Sequence, residues 1–143
     1  MPVPESVVEA VVLETSERMK EPHFTQVAVG HFVESQPEMA RFLSVKSARI
    51  GGAQGVLEAA FHAELLCECL RRSLKRELPT VSLRVLDRAS QGDTVATFSA
   101  REPALASYIA SNIAQEALRL ELCRIGLALA LALGTGVTGR AKP

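Results

Sequence analysis

Aromatic residues are scarce in this 143-residue chain, which has no Trp, one Tyr and five Phe. β-Sheets favour aromatic and β-branched residues, whereas the abundant Ala and Leu favour helices. The chain has no excess of either charge, because 16 Lys and Arg balance 16 Asp and Glu. No global field therefore attracts it to nucleic acid or lipid. With 48% hydrophobic residues, most of the chain is expected to fold, as one compact domain.

The sequence has no hydrophobic run that is long enough to cross a bilayer. The most apolar segment, 125–133, has nine residues, whereas a spanning helix needs about 20. Cys67, Cys69 and Cys123 are an odd number of cysteines and predict no disulfide framework, and residues 1–5 lack the features of a signal peptide. These absences favour a reducing, cytoplasmic setting, and the bias toward Ala, Arg and Leu favours a bacterial source.

Apolar residues recur at helical spacing along most of the chain, and prolines stand where several of these segments begin. A single straight helix over 103–133 would be longer than the diameter of a domain of this size, so a break is expected near 110–112. The predicted helices cover about 4–20, 22–36, 37–43, 53–77 and the two parts of 103–133.

Residues 80–100 fit two local structures, a β-hairpin or a pair of short helices of which Asp93 caps the second. An internal repeat favours the helices. Residues 32–43 align without gaps with 98–109, which lie 66 positions later, and the similarity resumes 61 positions apart in the Ala-Gln-x-x-Leu segments at 53 and 114.

The sequence therefore predicts an all-α fold, a compact bundle of six to eight helices. We expect one domain over 1–133 with pseudo-repeated halves at 4–78 and 79–133, and a flexible tail over 134–143. Each half would end in a long helix, and these two helices, near 53–77 and 113–133, would pack together as the core.

The C-terminal apolar segment has no polar face and must be covered on every side. Either it runs through the centre of the bundle, or a second copy of the chain covers it, which would make the protein a homodimer. The residues that would then mediate self-association are Ile125, Leu127, Leu129, Leu131 and Leu133.

Charge is unevenly distributed, with a net −5 over residues 1–40 and a net +4 over 41–90. The densest polar feature is a basic cluster of Arg71, Arg72, Lys75, Arg76, Arg84 and Arg88. Its cations complement the C-terminal end of a helix dipole, but like charges one turn apart also indicate an acidic partner. The acidic helix 4–20, in the same chain or in another copy, is the simplest candidate, for example through Arg72 and Glu9.

No motif in the sequence predicts catalysis, a cofactor or a metal. Cys67 and Cys69 point about 200° apart on a helix and cannot chelate one ion there. His62 and Cys69 share a helix face one turn after Glu58 and would supply metal ligands only with Cys123 nearby, so these cysteines are better explained as small buried hydrophobic residues. The glycines at 51, 52 and 55 precede no Lys-Ser/Thr, so a capping loop between helices is favoured over a phosphate site.

The function that we expect is a non-enzymatic protein–protein interaction or self-association module, an adaptor or scaffold. Two alternatives stay open. One is a DNA-binding regulator that uses the basic region 71–88, although few Asn, Gln, Ser or Thr residues are placed to contact bases. The other is a helical pocket protein that binds a small apolar ligand between the two halves.

Overall fold

The computed structural model describes residues 1–136, which form nine α-helices and no strand. The all-α bundle that the sequence predicts is confirmed. The predicted number of helices is six to eight, and the one-turn helix α4 accounts for the ninth. The helices are α1 (Glu5–Arg18), α2 (Phe24–Ser35), α3 (Pro37–Val45), α4 (Ser47–Ile50), α5 (Gly52–Leu74), α6 (Leu83–Ala89), α7 (Thr94–Arg101), α8 (Pro103–Asn112) and α9 (Glu116–Leu133).

Local sequence signals set several of these helix ends. Pro37 and Pro103 occupy the first turns of α3 and α8, where a missing N–H costs nothing. Residues 80–100 contain two short helices and no hairpin. Ser82 caps α6, and the Asp93 carboxylate accepts a hydrogen bond from Ala96 N at 3.1 Å to cap α7. The break in 103–133 that the sequence predicts near 110–112 lies at 113–115, between α8 and α9.

The two long helices pack against each other at the centre, as predicted for the core. Helices α1, α2 and α3 pack on α5, and α6, α7 and α8 pack on α9, while α1 also contacts α8 and α3 contacts α6. Phe32 of α2 and Phe98 of α7 are both fully buried. A Cβ at Gly126 of α9 would overlap the Phe98 ring, so α7 approaches α9 closely there.

The two halves of the chain bury equivalent residues. Positions 66 apart in α2–α3 and α7–α8 match, for example Met39 with Leu105 and Leu43 with Ile109, all of them buried. In the long helices the burial pattern matches 63 positions apart, for example Ala59 with Leu122 and Leu66 with Leu129. The alignment at 61 suggested by the Ala-Gln-x-x-Leu segments is thus displaced by two residues, because it matches burial less well and brings the buried Ala59 and Ala63 onto the half-buried Leu120 and Arg124.

The first residues of the predicted tail are packed. Gly134 ends α9 in the left-handed conformation, and Thr135 is buried, with its N–H donating to Ala130 O at 3.1 Å. The Arg101 guanidinium donates to Thr135 O at 2.7 Å. The rest of that tail, 137–143, lies outside the described residues. No helix between Met1 and Gly136 is both long and apolar enough to span a membrane.

Candidate functional site

The predicted self-association residues lie on α9. Ile125, Leu127 and Leu129 are buried within one copy of the chain. Leu131 and Leu133 are half-buried and pack against the same core. Helices from both halves cover this segment, which corresponds to the first of the two alternatives, a central helix of the bundle. A second copy is not needed to cover these side chains.

The basic cluster is divided by the fold into paired and unpaired cations. The Arg72 guanidinium reaches α1, where its two terminal nitrogens donate to the two carboxylate oxygens of Glu14, and its Nε donates to Glu68 at 2.8 Å. Arg71 donates to Glu64 and Glu68. The acidic helix of the same chain is therefore the partner of Arg72, through Glu14 and not through Glu9.

This ion-pair network changes the titration of its members. Hydrogen bonds from Arg72 lower the pKa of Glu14. Burial acts to raise the pKa of Glu68, but the hydrogen bonds from Arg72 and Arg71 outweigh it, and the pKa is lower than in a free carboxyl group. The pKa of Arg72 is raised by the same hydrogen bonds. These groups consequently stay ionised at neutral pH, and the two arginines are engaged within the monomer.

The remaining cations of the cluster are exposed. Within residues 1–136, no ion pair involves Lys75, Arg76, Arg84 or Arg88. Lys75 ends α5 in the left-handed conformation, and Arg88 lies in the last turn of α6. The six residues therefore do not form one unpaired basic surface.

A cavity of about 370 Å³ lies between α1, α2 and α5, beside this network. Its apolar wall includes Phe24 and Phe61, whose rings make an edge contact with centroids 6.3 Å apart. At its polar side, Glu64 accepts a hydrogen bond from His31 Nδ1 at 2.7 Å, and its other carboxylate oxygen is buried without a partner. The cavity lies within the first half of the chain, not between the halves.

The cysteines and His62 have surroundings that fit packing roles. Burial raises the pKa of the Cys69 and Cys123 thiols to about 12 and about 11, so both are protonated at neutral pH and poor nucleophiles. Nδ1 of His62 lies 2.6 Å from the Tyr108 hydroxyl. In the part of the chain that the structure describes, no three His, Cys, Asp or Glu side chains are grouped so as to hold a metal ion.

A second concavity, which we call the α2–α3 groove, runs between α2, α3 and α5 and encloses about 390 Å³. It is mostly apolar and is lined by Val29, Val33, Pro37, Ala40, Arg41, Leu43, Ser44, Val56, Leu57 and Ala60. Two of these lining residues, Val33 and Leu57, are 45% and 49% exposed.

The α2–α3 groove is not among the sites that the sequence predicts. The signal that points to it is the internal repeat, in which Val33 aligns with Ser99 and Arg41 aligns with Ser107. Both serines are exposed. Val33 is apolar at a position where the second half has an exposed serine. The helix packing therefore does not require an apolar side chain there, which makes Val33 a candidate for binding.

Comparisons with protein-family models, with curated proteins and with solved structures found no match to this chain.

Proposed function

We propose that the protein is a non-enzymatic, cytoplasmic protein–protein interaction module that binds its partner in the α2–α3 groove. The observation that carries this proposal is the exposure of two large aliphatic side chains, Val33 and Leu57, that line the same open groove. Contiguous exposed apolar surface is uncommon on monomeric proteins and marks binding sites. A groove flanked by helices suits a partner helix that inserts apolar side chains.

The surroundings of the histidines support a function without catalysis. Catalysis by a nucleophile needs a hydroxyl or thiol next to an oriented base. His31 is hydrogen-bonded to Glu64 at the cavity, and within residues 1–136 its imidazole makes no hydrogen bond to a hydroxyl or thiol. His62 contacts Tyr108, whose hydroxyl has a pKa raised by burial.

Self-association is the second form that this function can take. The homodimer that we expected from the sequence would need a surface other than Ile125, Leu127 and Leu129, which are buried in the monomer. The mass of the protein in solution over a range of concentrations tests this form.

A photo-crosslinking experiment tests the proposal. A benzoylphenylalanine replaces Val33, and in a matched control it replaces Val95, which is 46% exposed on the equivalent helix of the second half. In cells that express the protein, we expect protein adducts of defined mass from position 33 and none from position 95. No adduct from position 33, or the same adducts from both positions, would contradict the proposal.

Binding of a small ligand is a second candidate function, and the cavity between α1, α2 and α5 favours it. Its volume of about 370 Å³ lies in the range of about 300–1,000 Å³ that is typical of ligand sites. A ligand would raise the melting temperature of the protein. The Ala28→Leu variant, which places a larger side chain in the cavity lining, should lose that increase. A protein that purifies with no bound molecule and whose melting temperature no apolar ligand raises would exclude this candidate.

A further inference from the structure

Two apolar residues that line the α2–α3 groove, Val33 and Val56, are not required by the fold, because the second half has the same helix packing with polar residues in their places. The exposed Ser99 takes the place of Val33 on α7. On α9, Arg119 takes the place of Val56, 63 positions later, and its guanidinium donates to Ile113 O and Ala114 O at 2.9 and 2.8 Å. Polar residues thus occupy the two positions of the second half that are equivalent to Val33 and Val56. Because helix packing does not explain these two valines, they have another role.

The rim of the groove carries the cation Arg41. The equivalent residue of the second half is Ser107. Lys46 at the end of α3 is not among the lining residues, and its ammonium lies over the Phe42 ring, 5.4 Å from the centroid. The helix dipole explains a cation in a last turn, but α3 has no basic residue in its last turn, and Arg41 precedes it. Among residues 1–136, neither Arg41 nor Lys46 forms an ion pair.

The acidic residues closest in sequence do not neutralise this rim. Glu34 and Glu38 are absent from the lining of the groove. Glu38 instead accepts a hydrogen bond from Leu83 N at 2.8 Å, on the side of α3 that meets α6. The groove therefore combines exposed aliphatic side chains with a cation that has no partner of its own.

We infer that the α2–α3 groove binds an amphipathic helix of another protein, whose apolar side chains contact Val33 and Leu57 and whose acidic side chains pair with Arg41. This inference rests on the proposed function and specifies the partner. A helix, rather than a strand, fits because the described residues contain no sheet edge to extend. The acidic character follows from the complementarity of charges, which determines specificity and association rate.

A second copy of the chain fits the groove less well than a partner helix does. The acidic helix α1 carries one large exposed apolar residue, Leu13, and buries Val8 and Val11 against the bundle. A helix that fills a groove presents several apolar residues, at i, i+3 or i+4 and i+7. In the folded chain, α1 does not present such a row.

The test uses a synthetic helical peptide with leucines at i, i+4 and i+7 and glutamates beside them, and a matched peptide in which lysines replace the glutamates. Binding to the full chain is measured by fluorescence anisotropy at low and high salt. We expect the acidic peptide to bind about tenfold more tightly than the basic one at low salt, and this preference to shrink at high salt.

Three variants locate the binding site. Val33→Ser and Arg41→Ser introduce the residues that the second half already has, so both are expected to fold. Val33→Ser should weaken the acidic peptide by about tenfold, Arg41→Ser should remove most of the preference for it, and Val95→Ser should change neither. Equal binding of the two peptides, or equal effects of Val33→Ser and Val95→Ser, would overturn the inference.

The outcomes separate this inference from the proposed function. If neither peptide binds while crosslinks from position 33 persist, the surface is an interaction site and the acidic helix is the wrong partner. A concentration-dependent dimer that Val33→Ser abolishes would assign the groove to a second copy, which also overturns the inference. Absence of crosslinks together with absence of peptide binding contradicts both.

Discussion

Gln36 and Glu102 occupy equivalent positions at two helix junctions and hold equivalent segments of the chain. Both residues precede a helix that starts with proline, with φ and ψ of −133° and 64° for Gln36 and −135° and 71° for Glu102. Gln36 Oε1 accepts a hydrogen bond from Val81 N, and Glu102 Oε1 accepts one from Val3 N, each at 2.8 Å. Each half of the chain thus fixes the segment that leads into the first helix of the other half.

The Gln36 side chain is expected to be important for stability. It is 1% exposed, and its amide also donates to Pro79 O at 2.8 Å. Gln36→Ala leaves the Val81 N–H buried without an acceptor, which lowers the free energy of unfolding by about 1–3 kcal/mol. Urea denaturation measures this loss, with Gln91→Ala, at an exposed glutamine, as the control. Equal stabilities of the two variants would show that the junction does not need this hydrogen bond.

Two glycines in helices should respond to alanine in opposite directions. A Cβ at Gly126 would overlap the buried Phe98 ring, so Gly126→Ala should lower the free energy of unfolding by about 1–3 kcal/mol. At Gly30, inside α2 and exposed, a Cβ meets nothing within 4 Å. Gly30→Ala should raise the free energy of unfolding by about 0.5–1 kcal/mol, because alanine loses less backbone entropy. A destabilised Gly30→Ala, or an unaffected Gly126→Ala, would contradict the helix packing described above.

Charge reversal tests the contact between α1 and the end of α5. Arg72→Glu places a third carboxylate beside Glu14 and Glu68, and it should lower the denaturation midpoint at low salt. Adding Glu14→Arg restores an opposite charge and should recover part of this loss, whereas adding Glu9→Arg should recover less. Rescue by Glu9→Arg alone would mean that α1 is rotated relative to the orientation seen here.

The half-buried imidazole of His62 predicts a dependence of stability on pH. Burial lowers the pKa of His62 below its ordinary value of 6.5, against an opposing effect of Glu58. Below pH 6.5 the unfolded chain takes up this proton before the folded chain does, so the free energy of unfolding falls as pH decreases toward the folded-state pKa. His62→Gln removes this contribution and should flatten the decline between pH 7 and pH 5 in parallel denaturation curves. Identical slopes for the parent and the variant would refute this role of His62.

Much of the fold follows from local signals in the sequence. Pro37, Pro103 and the Asp93 cap are strong helix-start signals that act within a few residues, and the helices begin where these signals predict. Helix α4 was not predicted because four residues are too few to show a period. The two-residue displacement in the alignment of α5 with α9 arose because a short Ala-Gln-x-x-Leu match carries less information than the burial pattern of a whole helix.

The candidate site was less predictable, because its properties depend on how helices pack. The sequence indicated an acidic partner for Arg72, but the rotation of α1, set by the burial of Val8 and Val11, selects Glu14 over Glu9. Val33 lies in an apolar stretch of α2 and resembles a core residue in the sequence. Its exposure is a consequence of the arrangement of α2, α3 and α5, which sequence periodicity alone does not determine.

The most direct test of the central claim is to measure the stability and the peptide affinity of the Val33→Ser/Arg41→Ser variant in one preparation. If the α2–α3 groove serves binding and not folding, the free energy of unfolding should stay within about 0.5 kcal/mol of the parent value. The affinity for the acidic helical peptide should fall by more than about tenfold, below the affinity of the parent protein for the basic peptide, because the variant lacks both contacts. A loss of several kcal/mol in stability, or an unchanged affinity, would contradict the claim.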